Sequence, residues 1–155
     1  MKKTIFNTPY LNRLLSALSK GVLKLIGWQI EGRFPDIPKY VFIAAPHTSN
    51  WDFALLLLVV FSVRADLHWM GKAALFPKPF TWFVKWMGGI AIDRSKANNT
   101  VDQMIEHYNH NDGLVVLTTP EGTRGKVDRW KTGFYHIAHG ANVPIVMAFS
   151  YTLLT

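Results

Sequence analysis

Three short segments hold the residues best suited to chemistry. The first is His47-Thr-Ser-Asn-Trp-Asp52. Imidazole is the side chain that titrates nearest neutrality, and a carboxylate bonded to one ring nitrogen holds the other nitrogen as a base. On one continuous helix a separation of five residues turns through about 500°, which would leave His47 and Asp52 on different faces. Across a turn from loop into helix the two can meet. An incidental loop histidine with a capping aspartate is the plainer alternative. The second segment is Asp93-Arg94-Ser95, where a guanidinium leaving a strand can present its fork to a phosphate. A polar surface turn would look the same. The third is Thr119-Pro120-Glu121-Gly122-Thr123-Arg124. Glycine allows close backbone approach to a ligand, and Glu121 and Arg124 offer an acceptor and a cation. An ordinary polar turn is again the alternative.

Each segment follows an apolar run that reads as a strand. Residues 40–45, 67–70, 89–92, 114–117 and 143–148 are strand-like. Between them, residues 51–62, 79–87 and 131–139 are helix-like, and a further helix runs through Asn109 with Asn98 or Asn99 as its cap. Proline at 79 suits a first helical turn. Gly140 suits a C-cap, and Ser49 or Asn50 suits the N-cap of the helix beginning near residue 51. Strands separated by helices predict an α/β fold with a mostly parallel central sheet flanked by helices. In such sheets ligands bind outside the carboxyl ends of the strands, where the three segments fall. An amphipathic helix is expected over residues 10–27. There Leu11, Leu14, Leu15, Leu18, Val22, Leu25 and Ile26 recur with a period of about 3.6. Such a stripe can cover the helix's own domain or meet a membrane surface.

Composition narrows the function classes. The chain has 155 residues, 49% apolar and 17% charged, with 17 Lys+Arg against 10 Asp+Glu. That size suits one domain, and the apolar content excludes a disordered chain. The absence of cysteine excludes a disulfide scaffold and thiolate zinc sites. Residues 1–33 carry Lys2, Lys3, Arg13, Lys20, Lys24 and Arg33 against Glu31 alone, so the basic excess gathers at the N-terminus. A greasy and basic chain fits an anionic lipid surface better than nucleic acid. The longest apolar-looking run, from Phe53 to Val63, has 11 residues, against about 20 needed to span a bilayer. Thr8, Asn12 and Arg13 interrupt the start of the chain, so a signal peptide is not expected. The serine-hydrolase, zinc-protease and P-loop motifs are missing. The pairs His107/His110 and His136/His139 have metal-clip spacing, but solvated helix ends account for them better, and no metal is expected.

Taken together, the segments resemble the blocks of the glycerolipid acyltransferase family, which includes the lysophosphatidic acid acyltransferases. The blocks stand here as His47-Thr-Ser-Asn-Trp-Asp52, Gly89-Ile-Ala-Ile-Asp-Arg94, Pro120-Glu-Gly-Thr-Arg124 and Val143-Pro-Ile-Val146. Gly71-Lys72 and Trp130-Lys131-Thr-Gly133 look like supporting positions, and the likeness covers roughly residues 22–148. Ala91 and Thr119 stand where aromatics are frequent in the family. The resemblance implies transfer of a fatty acyl group from acyl-CoA or acyl carrier protein to a hydroxyl of a lysophospholipid such as 1-acyl-glycerol-3-phosphate. It implies His47 as base and Asp52 as its orienter. Arg94, Glu121, Gly122, Thr123, Arg124, Lys72 and Lys131 would form the substrate site, and no cofactor beyond the acyl donor is implied. The expected organisation is a basic amphipathic region over 1–33 and an acyltransferase domain over 34–155, lying peripherally on the cytoplasmic face of a membrane. Family members usually continue past the last block, so the domain is expected to be short at its C-terminus. The alternatives are a non-catalytic membrane-binding protein with this fold, and an acyl-thioester hydrolase.

Overall fold

The computed structural model describes residues 3–45, 50–93, 97–122 and 127–149. Its elements are α1 (Leu11–Leu25), β1 (Lys39–Ala45), α2 (Asn50–Val63), β2 (Leu67–Lys72), α3 (Thr81–Trp86), β3 (Gly89–Ile92), α4 (Ala97–Asn109), β4 (Leu114–Thr118), α5 (Gly133–Gly140) and β5 (Ile145–Phe149). The strands form one five-stranded sheet in the order β3-β2-β4-β1-β5. Every neighbouring pair is parallel, with Lys39 opposite Leu114, Val41 opposite Ile145, Trp69 opposite Gly89, and Leu67 opposite Val115. The expected α/β architecture, with an N-terminal helix ahead of a parallel sheet, is the one observed.

Alternation along the central strands divides the core in two. Val41, Leu114 and Val116 point to one face and meet Met104 and Tyr108 of α4 and Ile137 and Ala138 of α5. Tyr40, Phe42, Val115 and Leu117 point to the other face and meet Val60 of α2 together with Phe6. The buried Tyr108 hydroxyl donates to the Tyr40 carbonyl at 2.8 Å, and burial holds that phenol well above its ordinary value. Residues ahead of α1 are tied in as well. The Asp66 carboxylate accepts from the Thr4 hydroxyl at 2.9 Å and from the Asn7 amide at 2.8 Å.

Several local expectations need correction. Helix α3 begins at Thr81, with Lys78 to Phe80 in a turn, so Pro79 lies before the first helical turn. Helix α4 begins at Ala97, which places Asn98 and Asn99 inside it instead of at its cap. Asn50 is likewise the first residue of α2, and Ser49 lies outside the described residues. Gly140 is the last residue of α5, and the left-handed conformation is taken by Asn142 at φ 52°. The Val143 amide reaches back to the Ala138 carbonyl at 3.0 Å, closing the helix as Schellman ends do. Gly140 is small for a different reason: a methyl there would collide with Ile105 of α4.

The orientation of α1 shows that its apolar stripe is turned away from the described domain. Its buried residues are Asn12, Ser16, Ser19 and Leu23, at spacings of four, three and four. This small, polar stripe packs on α2, where the Ser16 hydroxyl donates to the Ser62 carbonyl at 3.1 Å. The Arg64 Nε donates to Asn12 Oδ1 at 3.2 Å. Leu14, Leu18 and Leu25 are turned out, 58%, 57% and 86% exposed. The stripe therefore does not cover the domain. Beneath it, α2 is apolar on all sides, which suits a helix sandwiched between the sheet and a second helix. Among the described residues, no helix is long and apolar enough to cross a membrane.

Candidate active site at the carboxyl edge of the sheet

A parallel sheet brings the carboxyl ends of all its strands to one edge, and the chain order shows where that edge opens. From β1 the chain crosses by α2 to β2 on one side, whereas from β4 it crosses by α5 to β5 on the other. β1 and β4 are neighbours, so their connections diverge between Ala45 and Thr118. Such a switch point leaves a crevice into which ligands fit.

A cleft of about 860 Å³ lies there. Ala44, Ala45, Leu117 and Thr119 belong to its wall at the strand ends, while Phe53, Leu56 and Val59 of α2 give it an apolar side. Asp52, half-buried in the first turn of α2, lines the same cleft. A carboxylate there is favoured by the positive end of the helix dipole. The cleft thus combines an apolar wall with an acidic group at the strand ends, the mixture expected of a site for an amphiphile.

The loop after β4 is pinned by the segment before α5. The Gly122 amide donates to the Thr119 carbonyl at 3.2 Å, and the Lys131 amide donates to the Pro120 carbonyl at 2.8 Å. Gly122 has φ +64°, and the end of the Lys131 side chain lies over it, with Nζ 2.9 Å from where a Cβ would be. A larger residue at 122 would displace that ammonium and strain the backbone. Glu121 is half-buried in the same turn. Lys131 therefore sits over Gly122, a contact that the separate motifs did not show. Lys72 ends β2, opposite Ile92 of β3 and exposed. With strands about 4.8 Å apart, it stands two strands from β1 along the edge and does not line the cleft. His47, Arg94, Thr123 and Arg124 lie outside the described residues; they follow β1, β3 and β4 in the chain.

Two contributors had no motif to reveal them. Gln103 of α4 clamps the main chain of Asp93, its Oε1 accepting from the Asp93 amide at 3.2 Å and its Nε2 donating to the Asp93 carbonyl at 3.1 Å. The residue after Asp93 is Arg94. Arg64, past the far end of α2, lines a separate recess with Lys20 and Lys24. Among the described residues, no three His, Asp or Glu side chains are grouped to hold a metal ion. His110 Nδ1 lies 2.8 Å from the Glu106 carbonyl, and the His139 ring stacks on Tyr135.

With this geometry established, comparison with known proteins gives it a context. The sequence model of the acyltransferase family matches residues 30–149. A 1-acyl-sn-glycerol-3-phosphate acyltransferase of Haemophilus influenzae is 33% identical over 132 residues, covering 79% of this chain and 53% of that protein. The protein of the same name from Escherichia coli is 30% identical over 132 residues, covering 79% and 52%. The chain thus spans about half the length of the curated relatives it matches. No solved structure matches it.

Proposed function

The chain belongs to the acyltransferase family, and from that premise we propose that it moves a fatty acyl group from a thioester donor to a hydroxyl of a lysophospholipid. The acceptor class is that named for its relatives, a 1-acyl-sn-glycerol 3-phosphate. The observation that carries the reading is the cleft at the β1/β4 switch point, where Asp52 meets an apolar wall. His47, five residues before Asp52, accepts the proton of the acceptor hydroxyl as its oxygen attacks the thioester carbonyl carbon. Asp52 orients the ring and stabilises the imidazolium. The tetrahedral intermediate then expels the sulfur: the C–S bond breaks, and the thiolate leaves with the proton from His47. Amides at the start of α2 are the donors nearest the developing oxyanion. Arg94, Arg124 and Lys131 hold the acceptor phosphate, with Glu121, Gly122 and Thr123 shaping its seat; Lys72, two strands away along the edge, stands outside this group. The ammonium of Lys131 over Gly122 supports that division of labour.

The acceptor and the acyl chain are both lipids, so the second half of the reading is a membrane surface as partner. The outward leucines of α1 support it. Basic residues near an anionic leaflet add about 1 kcal/mol each, and Lys2, Lys3 and Arg33 would act there on the cytoplasmic side.

The deciding experiment compares His47→Ala with the parent chain, measuring thiol release and phosphatidic acid formation from acyl-CoA and 1-acyl-glycerol-3-phosphate. Loss of about 10²–10⁴-fold is the weight of a positioned base, and near-normal turnover in the variant would remove His47 from that role. Thiol release without any lysolipid would instead favour thioester hydrolysis.

A further inference from the structure

A second cavity, of about 600 Å³, opens between α1 and the end of α2. Lys20, Lys24 and Arg64 line it together with Trp28 and Gln29, and no acidic residue is among the described residues that line it. The carboxylate nearest to Arg64 in sequence, Asp66, is bonded to Thr4 and Asn7. Three cations around one recess call for an anion with several charges.

Arg64 is held there at a cost. It has φ 59°, the left-handed position past a helix end where glycine is the usual occupant. The Ala65 amide closes onto the Val60 carbonyl at 3.1 Å, so this is the Schellman end of α2. An arginine in place of glycine strains the backbone, and its guanidinium is then fixed by the buried Asn12. Strain retained together with a fixed cation is the mark of a site that uses the cation.

Position argues against a lipid headgroup as the occupant. At about 100° per residue, Lys20 and Lys24 lie roughly 120° around α1 from the outward leucines. Length argues for the donor. Asp52 and Arg64 are twelve residues apart, with α2 running between them, about 18 Å at the helical rise. A phosphopantetheine arm, as long as about five extended residues, spans roughly 17 Å. The two cavities also share a wall, because Gly27, Trp28, Gln29 and Ile30 line both.

We propose that Lys20, Lys24 and Arg64 form the seat for the 3′-phosphate and diphosphate of a coenzyme A thioester donor, with the pantetheine arm running past residues 27–30 into the Asp52 cleft. The Trp28 ring offers an aromatic face to the adenine. This rests on the transferase reading above, and it assigns the place where the nucleotide end of the donor is held.

Calorimetric titration of the full chain with coenzyme A and with dephospho-coenzyme A tests it. The parent chain binds coenzyme A about tenfold more tightly, the worth of one charged hydrogen-bonding group. Arg64→Gly and Lys24→Gln each weaken coenzyme A about tenfold and erase its advantage, whereas Arg13→Gln, which removes a charge outside the recess, changes neither. Lys24→Gln, at an exposed position of α1, keeps its melting temperature, so a loss of binding there is not a loss of fold. Unchanged coenzyme A binding in both recess variants overturns the proposal. So does an equal loss in Arg13→Gln, which marks diffuse charge. Recess variants that weaken only acyl carrier protein, or only phosphatidylglycerol vesicles, overturn it too. If coenzyme A binds with the predicted charge dependence but no acyl transfer follows, the site stands and the transferase reading fails.

Discussion

On one side of the sheet, α4 and α5 bury Met104, Tyr108, Ile137 and Ala138 against the strands and keep Asp102, Glu106 and His107 outside. On the other side, α1 turns Asn12, Ser16 and Ser19 inward and leaves Leu14, Leu18 and Leu25 outside. Both layers are amphipathic, yet they spend their apolar faces differently. The α4–α5 side follows the rule for a water-soluble core. The α1 side is packed as helices are packed within lipid, by small and polar residues that allow close approach and hydrogen-bond across the contact. One layer holds the fold together, and the other leaves its apolar surface uncovered among the described residues.

Substitutions in the two layers should separate these roles. The largest contrast is expected between Met104→Ala and Leu18→Ala in urea unfolding. The first empties a fully buried position and should cost about 2–5 kcal/mol, while the second should stay within about 0.5 kcal/mol. Equal losses would erase the distinction. Next, Leu14→Ser with Leu18→Ser should lower sedimentation with phosphatidylglycerol vesicles by about tenfold per leucine and leave unfolding unchanged. Vesicle binding indifferent to both changes would remove the lipid from the account of α1.

A smaller effect has opposite signs in the two layers. Gly140→Ala collides with Ile105 and should destabilise by about 1–3 kcal/mol. Gly21→Ala on α1 meets nothing within 4 Å and should stabilise by about 0.5–1 kcal/mol through helix propensity. The same sign for both would show that α1 is packed as tightly as α5. The smallest effect is acid sensitivity on the α4–α5 side. Burial pushes His68 below the ordinary value of 6.5, with the Asp66 carboxylate opposing it. Below pH 6.5 the unfolded chain then binds more protons than the native one, so stability is full above that pH and declines as pH falls through it. The melting temperature should drop by a few degrees toward pH 5, and His68→Gln should flatten part of that slope. No change across this range would mean that this ring takes up a proton freely in the folded protein.

What the residues disclosed in advance follows from what periodicity can encode. The helix over 11–25 was legible because its leucines recur with the helical turn. Its orientation was not, because a stripe names a face and not the surface that covers it. The inward face was written in Asn12, Ser16 and Ser19, residues that hydrophobic patterning counts as outside. Strand order was legible only as far as parallelism: alternation implies crossovers, but the place of β4 between β1 and β2 depends on packing. At the site, the spacing of His47 and Asp52 and the Pro120–Arg124 block stood out by chemistry. The clamp of Gln103 on Asp93 and the seat of Lys131 over Gly122 did not, since each joins residues that carry no shared pattern. Arg64 was passed over because a left-handed backbone cannot be read from a lone arginine.

The strand order also bears on how the chain is made. β1 has no partner next to it in sequence; its register pairs Lys39 with Leu114, 75 residues later, and its other neighbour is β5. At roughly 5–20 residues per second, a ribosome needs about 4–15 s to supply β4 after β1 has been synthesised. During that interval the nascent chain displays an unpaired strand together with leucines that the described residues leave uncovered. A nearby bilayer or a chaperone that engages the emerging α1 would shelter both until the partner strand arrives.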